Sequence, residues 1–339
     1  MAKTKKAGKN KARKIPSAAK KRPVKSSASQ RASKKRAGAK KHSRAPAKSR
    51  ASTLATPVLG IVSSTAFTGT PLALAFCNAL RAGGWEYDPT KPPGQNGRVV
   101  LDARDALGAY GGAHQELNNA VKSLNATADV IVTVGGSIAA KAAADFAKDK
   151  PFLAIVGTTP NFNINPHGTF RGGINLDTPA SDAARNGYVI AKWTTIPANR
   201  VCLLHNKNAQ MDQDELRAWR SQGWPEQGVG TGDNSAINFA NAFSSAAQIA
   251  DAVVVSADPY FTQQRAALVG AANNTTLKVC YPFQFYGDAN PASGQSMWFG
   301  PDLVGAYGTM GTKAASVLGS PNTSTGLNTA NSAGPGYWR

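Results

Sequence analysis

The chain has 339 residues, with 39 Lys and Arg against 19 Asp and Glu, for a formal net charge of +20 at pH 7. Twenty of the basic residues and none of the acidic ones fall within residues 1–50, so residues 51–339 carry 19 of each sign and are neutral. No run of about 18 apolar residues occurs, which argues against a spanning helix. The three cysteines, Cys77, Cys202 and Cys280, lie far apart in apolar surroundings and read as small buried side chains rather than a disulfide framework or metal cluster.

Residues 1–55 are built from Lys, Arg, Ala, Ser, Pro and Gly, without an aromatic residue. Such a segment cannot bury enough apolar surface to offset the entropy of ordering, so a disordered tail is expected. Its basic clusters, Lys5 and Lys6, Lys20, Lys21 and Arg22, Lys34, Lys35 and Arg36, and Lys40 and Lys41, are the candidate contacts to nucleic acid or another polyanion. Phosphate neutralisation by such residues is sequence-independent and salt-sensitive. Without aromatics the tail has no stacking platforms, and without regular structure it has nothing to read base edges. The same composition also suits a solubilising tail. The basic start is not followed by an apolar h-region of about 7–15 residues, so a cytoplasmic location is expected, with the periplasm as the alternative if the start or export signal lies elsewhere.

From Pro57 the periodicity predicts a strand at 58–62, a helix at 69–82, a strand at 98–102, a helix at 112–125, a strand at 129–134, a helix at 137–148 and a strand at 152–156. Short β-branched runs such as Val130-Ile131-Val132 suit parallel strands buried on both faces, and helices between them make a doubly wound half. The passage GTTPNFNINPHGTFRGG reads as a Gly-, Asn- and Pro-rich connection. A second series follows: helix 179–193, strand 200–204, helix 210–221, a weak strand near 226–230, helix 236–248, strand 252–256, helix 260–272 and strand 277–281. A closing helix at 302–318 comes after the loop GDANPASGQSMWFGP, and the last residues are turn-rich.

Three blocks, ADAVVVSADPYF, VCYPFQFYGDA and SMWFGPDLVGAYGTMGTKAASVLG, resemble in order and spacing the end of ABC-transporter substrate-binding proteins of the tryptophan/tyrosine-like type. ADVIVTVGGSIAAKAAADFAKDKPFLAIVGTTP resembles that family's first-lobe pattern, and RVCLLHNKNA the strand that opens its second lobe. The resemblance covers roughly 58–318. It implies a type I periplasmic-binding-protein fold, two Rossmann-like α/β lobes with parallel sheets closing on a small ligand, no chemistry of its own and no cofactor, with an ABC permease as partner. The first lobe is then expected at 56–162 plus about 286–320, the second at 163–285, and a flexible C-terminal end at 321–339. The basic tail is foreign to the family.

In such a fold the ligand sits where strand ends of the two lobes face each other. The first-lobe candidates are Ser63, Ser64 and Thr65, then Gly135, Gly136 and Ser137, then Thr158 and Thr159. Hydroxyls and helix N-terminal amides suit a carboxylate, although N-capping explains them equally well. On the second lobe His205, Asn206, Asp258, Tyr281 and Phe285 could supply an ammonium-binding carboxylate and aromatic walls, and Asp258 before Pro259 also suits a helix cap. The resemblance implies an aromatic or branched amino acid, or another organic acid, as ligand. A hydrolase reading of GGSIA as a nucleophile elbow fails because no histidine follows His205. GVGTGD at 228–233 lacks the spacing of a dinucleotide fingerprint, and no nucleotide-binding P-loop occurs.

Overall fold

The computed structural model describes residues 56–64, 66–86, 99–105, 115–157, 169–176, 178–193, 195–207, 216–217, 219–229, 238–331 and 336–337. The tail with its basic clusters, and Thr65, Thr158 and Thr159, lie outside the described residues.

The chain alternates strand and helix from its first described element, and the strands sort into two six-stranded sheets. The first sheet holds β1 (Val58–Ser63), β2 (Val100–Asp105), β3 (Val130–Thr133), β4 (Phe152–Val156), β5 (Phe170–Asn175) and β11 (Gly326–Thr329), in the order β11-β5-β4-β3-β1-β2. All its pairings are parallel. The second holds β6 (Val201–Asn206), β7 (Glu226–Val229), β8 (Ala252–Val255), β9 (Lys278–Tyr281), β10 (Ser296–Trp298) and β12 (Gly336–Tyr337), in the order β12-β10-β9-β8-β6-β7. Only the β10–β12 pairing is antiparallel among those of the second sheet. Each lobe therefore runs 2-1-3-4-5 in its own strand count, the doubly wound order whose direction reverses between its first and third strands.

The sequence explains the sheets directly. β1, β3, β4, β6 and β8 are almost wholly buried, as parallel strands covered on both faces must be. Gly60 in β1 is there for space, since a Cβ would come within 3.0 Å of Ala128 Cβ and Leu124. Helix α1 (Pro71–Ala82) starts two residues later than the expected 69: Thr70 caps it, accepting from Ala73 N at 3.1 Å, with Pro71 as its first residue. α2 (Gln115–Thr127) and α3 (Gly136–Phe146) cover the first sheet, while α4 (Thr178–Lys192), α5 (Phe239–Ile249), α6 (Pro259–Gln263) and α7 (Arg265–Asn273) belong to the second lobe. The helix expected at 260–272 is thus two helices broken at Gln264. α8 (Leu303–Gly319), capped by Asp302, returns to the first lobe and lies along α1, joining Phe76 and Leu80 to Met310, Ala314 and Val317 in one core.

Three features depart from the sequence expectations. β5 comes out of the supposed connection and completes the first sheet, so that sheet runs past 162 and the chain passes to the second lobe only after Leu176. Its glycines read as turn residues, yet Gly173 serves close backbone approach: a Cβ there would sit 1.9 Å from the Ala154 carbonyl oxygen. β10 lies beyond 286 but pairs with β9, so the return to the first lobe follows Trp298. The expected flexible end at 321–339 instead contains β11, paired with β5, and β12, paired with β10. Lys313 on α8 holds β11 in place, its ammonium donating to the Thr325 and Gly326 carbonyls at 2.6 and 3.0 Å and to Asn328 Oδ1 at 2.6 Å. Short polar edge strands have no hydrophobic period to reveal them. No helix among the described residues is long and apolar enough to cross a membrane.

Candidate functional site

The carboxyl ends of β3, β4 and β5 face those of β8 and β9 across a cavity of about 50 Å³. From the first lobe Val134, Gly136, Ile155, Gly157 and Leu176 line it. Ala257, Pro259, Thr262 and Phe283 line it from the second, and Leu303 and Tyr307 of α8 with Leu72 of α1 complete the wall. No charged side chain lies among these residues. Open parallel sheets bind ligands at their carboxyl ends, beside the reversal of strand order.

The first-lobe candidates gather at these strand ends, but mostly as structure around the cavity. Ser63 and Ser64 are buried at the end of β1. Ser64 Oγ donates to the Gly135 carbonyl at 3.2 Å, tying β1 to the turn after β3. Gly135 leaves no room for a side chain, because a Cβ would meet Ser64 Oγ at 2.6 Å. Ser137 Oγ accepts from Gly157 N at 3.3 Å, linking the starts of the loops after β3 and β4. Of these five residues only Gly136 lines the cavity. It is the first residue of α3, so amides without an intrahelical acceptor lie beside the cavity and the positive end of that helix faces it.

The second-lobe candidates divide. Asp258 is fully buried directly before α6, where its Oδ1 accepts from Tyr260 N at 2.7 Å and Phe261 N at 3.1 Å. Its neighbours Ala257 and Pro259 line the cavity, while its own carboxylate caps the helix. Tyr281 is buried in a stack with Tyr286, ring centroids 5.1 Å apart, behind the wall. Phe285 stacks on Phe283, ring centroids 5.4 Å apart and nearly parallel, and lines not the cavity but a neighbouring recess that shares Phe283 and Leu303 with it and includes Asp288 and Asp302.

His205 and Asn206 end β6, yet His205 does not reach the interlobe cavity. Its side chain lines a polar recess with Lys207, Leu216, Arg220 and Glu226. Burial lowers its pKa to about 4, against the weaker opposing pull of Glu226. Its Nδ1 has no hydrogen-bond partner among the described residues. The three cysteines are unpaired, and burial pushes the Cys202 and Cys280 thiols up to about 12, so they behave as apolar side chains. Among the described residues no group of three or more His, Cys, Asp or Glu is placed to hold a metal ion.

Sequence reasoning missed the aliphatic wall and Tyr307. The Tyr307 hydroxyl donates to the Val134 carbonyl at 3.1 Å, and its ring stacks on Phe67 at 6.3 Å, so α8 contributes a fixed floor to the site. Its signal in the sequence was only an aromatic one turn into the closing helix, indistinguishable from core.

No family model and no curated relative matches the sequence. Solved structures do. A conserved domain protein from Vibrio cholerae aligns with a TM-score of 0.61 at 13% identity over 81% of this chain and 90% of its own. The ABC domain in complex with L-Trp from Streptococcus pneumoniae aligns with a TM-score of 0.59 at 13% identity, over 82% and 91% of the two chains. A LacI family transcriptional regulator from Silicibacter pomeroyi gives a TM-score of 0.53 at 13% identity, over 83% and 97%. With its two doubly wound lobes and repeated strand order, the chain has the type I periplasmic-binding-protein fold that substrate-binding proteins and LacI-type regulators share.

Proposed function

We propose that the chain is a non-catalytic solute-binding protein that takes a small organic molecule between its two lobes. The observation that carries this is the cavity at the carboxyl ends of both sheets, walled from both sides by apolar residues and bordered by the start of α3. Such a wall suits holding a molecule rather than transforming it, since no acid–base pair or activated nucleophile lines it among the described residues. The L-Trp complex of the pneumococcal ABC domain supports the reading by likeness of fold. In a transport role the partner is an ABC permease. Thermal-shift screening of the full chain against amino acids and small organic acids tests it, because a ligand at 100 times its dissociation constant adds about 2.7 kcal/mol. No rise in midpoint with any member of a broad panel refutes it.

A second reading is favoured by one feature, the concentration of the whole net charge of +20 in the first fifty residues. In this reading the lobes sense a ligand while the tail anchors the protein to nucleic acid, and the protein works in the cytoplasm. Likeness of fold to a LacI-type regulator is compatible with it, although the tail is not a helix-turn-helix segment by sequence.

A further inference from the structure

β2 closes one side of the first sheet and pairs with β1 alone among the described strands. Val100 N donates to the Pro57 carbonyl at 2.9 Å, so Val100 turns its backbone towards β1. By the alternation of a parallel ladder, Leu101 and Ala103 turn their N–H and C=O groups to the open side, where no described strand takes them up. A groove of about 740 Å³ runs along that side. It touches Leu101, Asp102 and Ala103, consecutive residues whose side chains alternate between the faces of the sheet, so it follows the edge of the strand. Its opposite wall is the outer stripe of α1, with Pro71, Leu74, Asn78 and Arg81. Leu74 is 62% exposed, although Phe76 and Leu80 on the other side of α1 are fully buried.

Charged side chains on an edge strand ordinarily keep other strands away. Here they flank Ala103 with opposite signs: Asp102 and Arg104 share one face of β2, and the guanidinium forks the carboxylate, Nε to Oδ1 at 2.8 Å and Nη2 to Oδ2 at 2.9 Å. We propose that β2 is a self-association edge, on which a second copy of this chain lays its own β2 antiparallel about a two-fold axis at Ala103. The outward backbone groups allow only registers that set Leu101 or Ala103 against an outward-facing residue of the second copy. With Ala103 against Ala103, Asp102 stands opposite Arg104 of the second copy and Arg104 opposite its Asp102, in the closely spaced pairs of the ladder. The neighbouring allowed registers set Asp102 against Asp102 or Arg104 against Arg104, and like charges directly opposite are destabilising. The pattern that repels a chance strand is therefore complementary to its own reversal. The same axis brings the second α1 to the groove, where Leu74 finds apolar cover.

Sedimentation velocity of the full chain, freed of nucleic acid and run over a range of concentrations, tests the proposal. The wild type should pass reversibly from monomer to dimer. Asp102→Arg sets a second guanidinium against Arg104, and Arg104→Asp a second carboxylate against Asp102; because a two-fold axis repeats each change, either variant should weaken the dimer roughly tenfold or more. The double variant Asp102→Arg/Arg104→Asp should regain wild-type association. So should an equimolar mixture of the two single variants, as a heterodimer in which every charge again meets its opposite. Both single variants have lost the fork within their own strand, so a purely local role for these residues gives no recovery on mixing. Urea midpoints near the wild-type value establish that each variant is folded. A wild type that stays monomeric at the highest concentration overturns the proposal. So does a dimer that neither reversal weakens, or a pair of folded, weakened variants that fails to recover on mixing.

Discussion

Asp258 offers a direct test of what a buried carboxylate at a cleft is for. Its Oδ1 accepts from two backbone amides at the start of α6, and the residue is fully buried. Replacing Asp258 by Ala removes the acceptor of both bonds, leaving Phe261 N–H buried and Tyr260 N–H partly so. Losing a cap costs about 1 kcal/mol, and a buried donor left without a partner costs about 1–3 kcal/mol. The expected loss is therefore about 2–4 kcal/mol of stability, read as a lower midpoint in urea at unchanged slope. Asp258→Asn keeps one side-chain oxygen for the same amides and should lose about 1 kcal/mol or less. Affinity for whichever solute binds should change little in the Asn variant. If Asp258→Ala unfolds at the wild-type midpoint while affinity falls more than about thirtyfold, a loss of about 2 kcal/mol, the carboxylate belongs to the ligand and the capping account is wrong.

His205 is held neutral by burial, with a pKa lowered from 6.5 to about 4. Its contribution is therefore complete above the unfolded value and is lost as pH falls from about 6.5 through 4, worth about 3 kcal/mol in all; His205→Gln should flatten the urea-midpoint profile in that window, and an unchanged slope would exonerate the imidazole. Lys313→Met should speed amide exchange across residues 326–329 while α8 keeps its protection, since the ammonium ties those residues to the helix; equal protection in the two proteins would show that pairing with β5 alone holds the strand. Gly311→Ala places a Cβ 2.3 Å from the Phe76 carbonyl oxygen where α8 crosses α1, and overpacking of this kind costs about 1–3 kcal/mol; a wild-type urea midpoint would mean the helices part freely. The full chain should bind duplex DNA without sequence preference, losing about 10³–10⁵ in affinity between 50 and 200 mM salt if six to ten tail cations reach phosphates; a chain beginning at Ser52 that binds equally well would move the contact to the lobes and end the anchored-sensor reading.

The alternating order of buried runs and helices was legible because parallel strands covered on both faces announce themselves by composition. Val130–Thr133 and Ala252–Val255 have no polar residue other than a terminal threonine, and each is followed by a helix. β5 and β11 were illegible for a different physical reason. Gly172 and Gly173 carry no side chain to mark a face, and their value lies in letting the backbones of β4, β5 and β11 approach, which is a property of the pairing and not of the segment. Lys313 likewise reads as one cation on a helix until its three acceptors on a distant edge strand are known.

The candidate site divides along the same line. The candidates chosen as turns after strands stand at strand ends: Ser63 closes β1 and Ser64 follows it, Gly135 and Gly136 come after β3, and Asp258 after β8. What the side chains do there depends on neighbours remote in sequence. Ser64 spends its hydroxyl on Gly135, 71 residues away, and His205 turns into a recess beside Arg220 and Glu226. The wall itself is made by Tyr307, whose anchor, Val134, lies 173 residues away. A polar residue after a strand is a candidate ligand group by type, but the bonds it makes to its own fold leave most of the cavity lining to aliphatic and aromatic side chains. In this protein chemical type therefore points to the strand ends, while the side chains that line the cavity between them, Tyr307 among them, are placed by contacts remote in sequence.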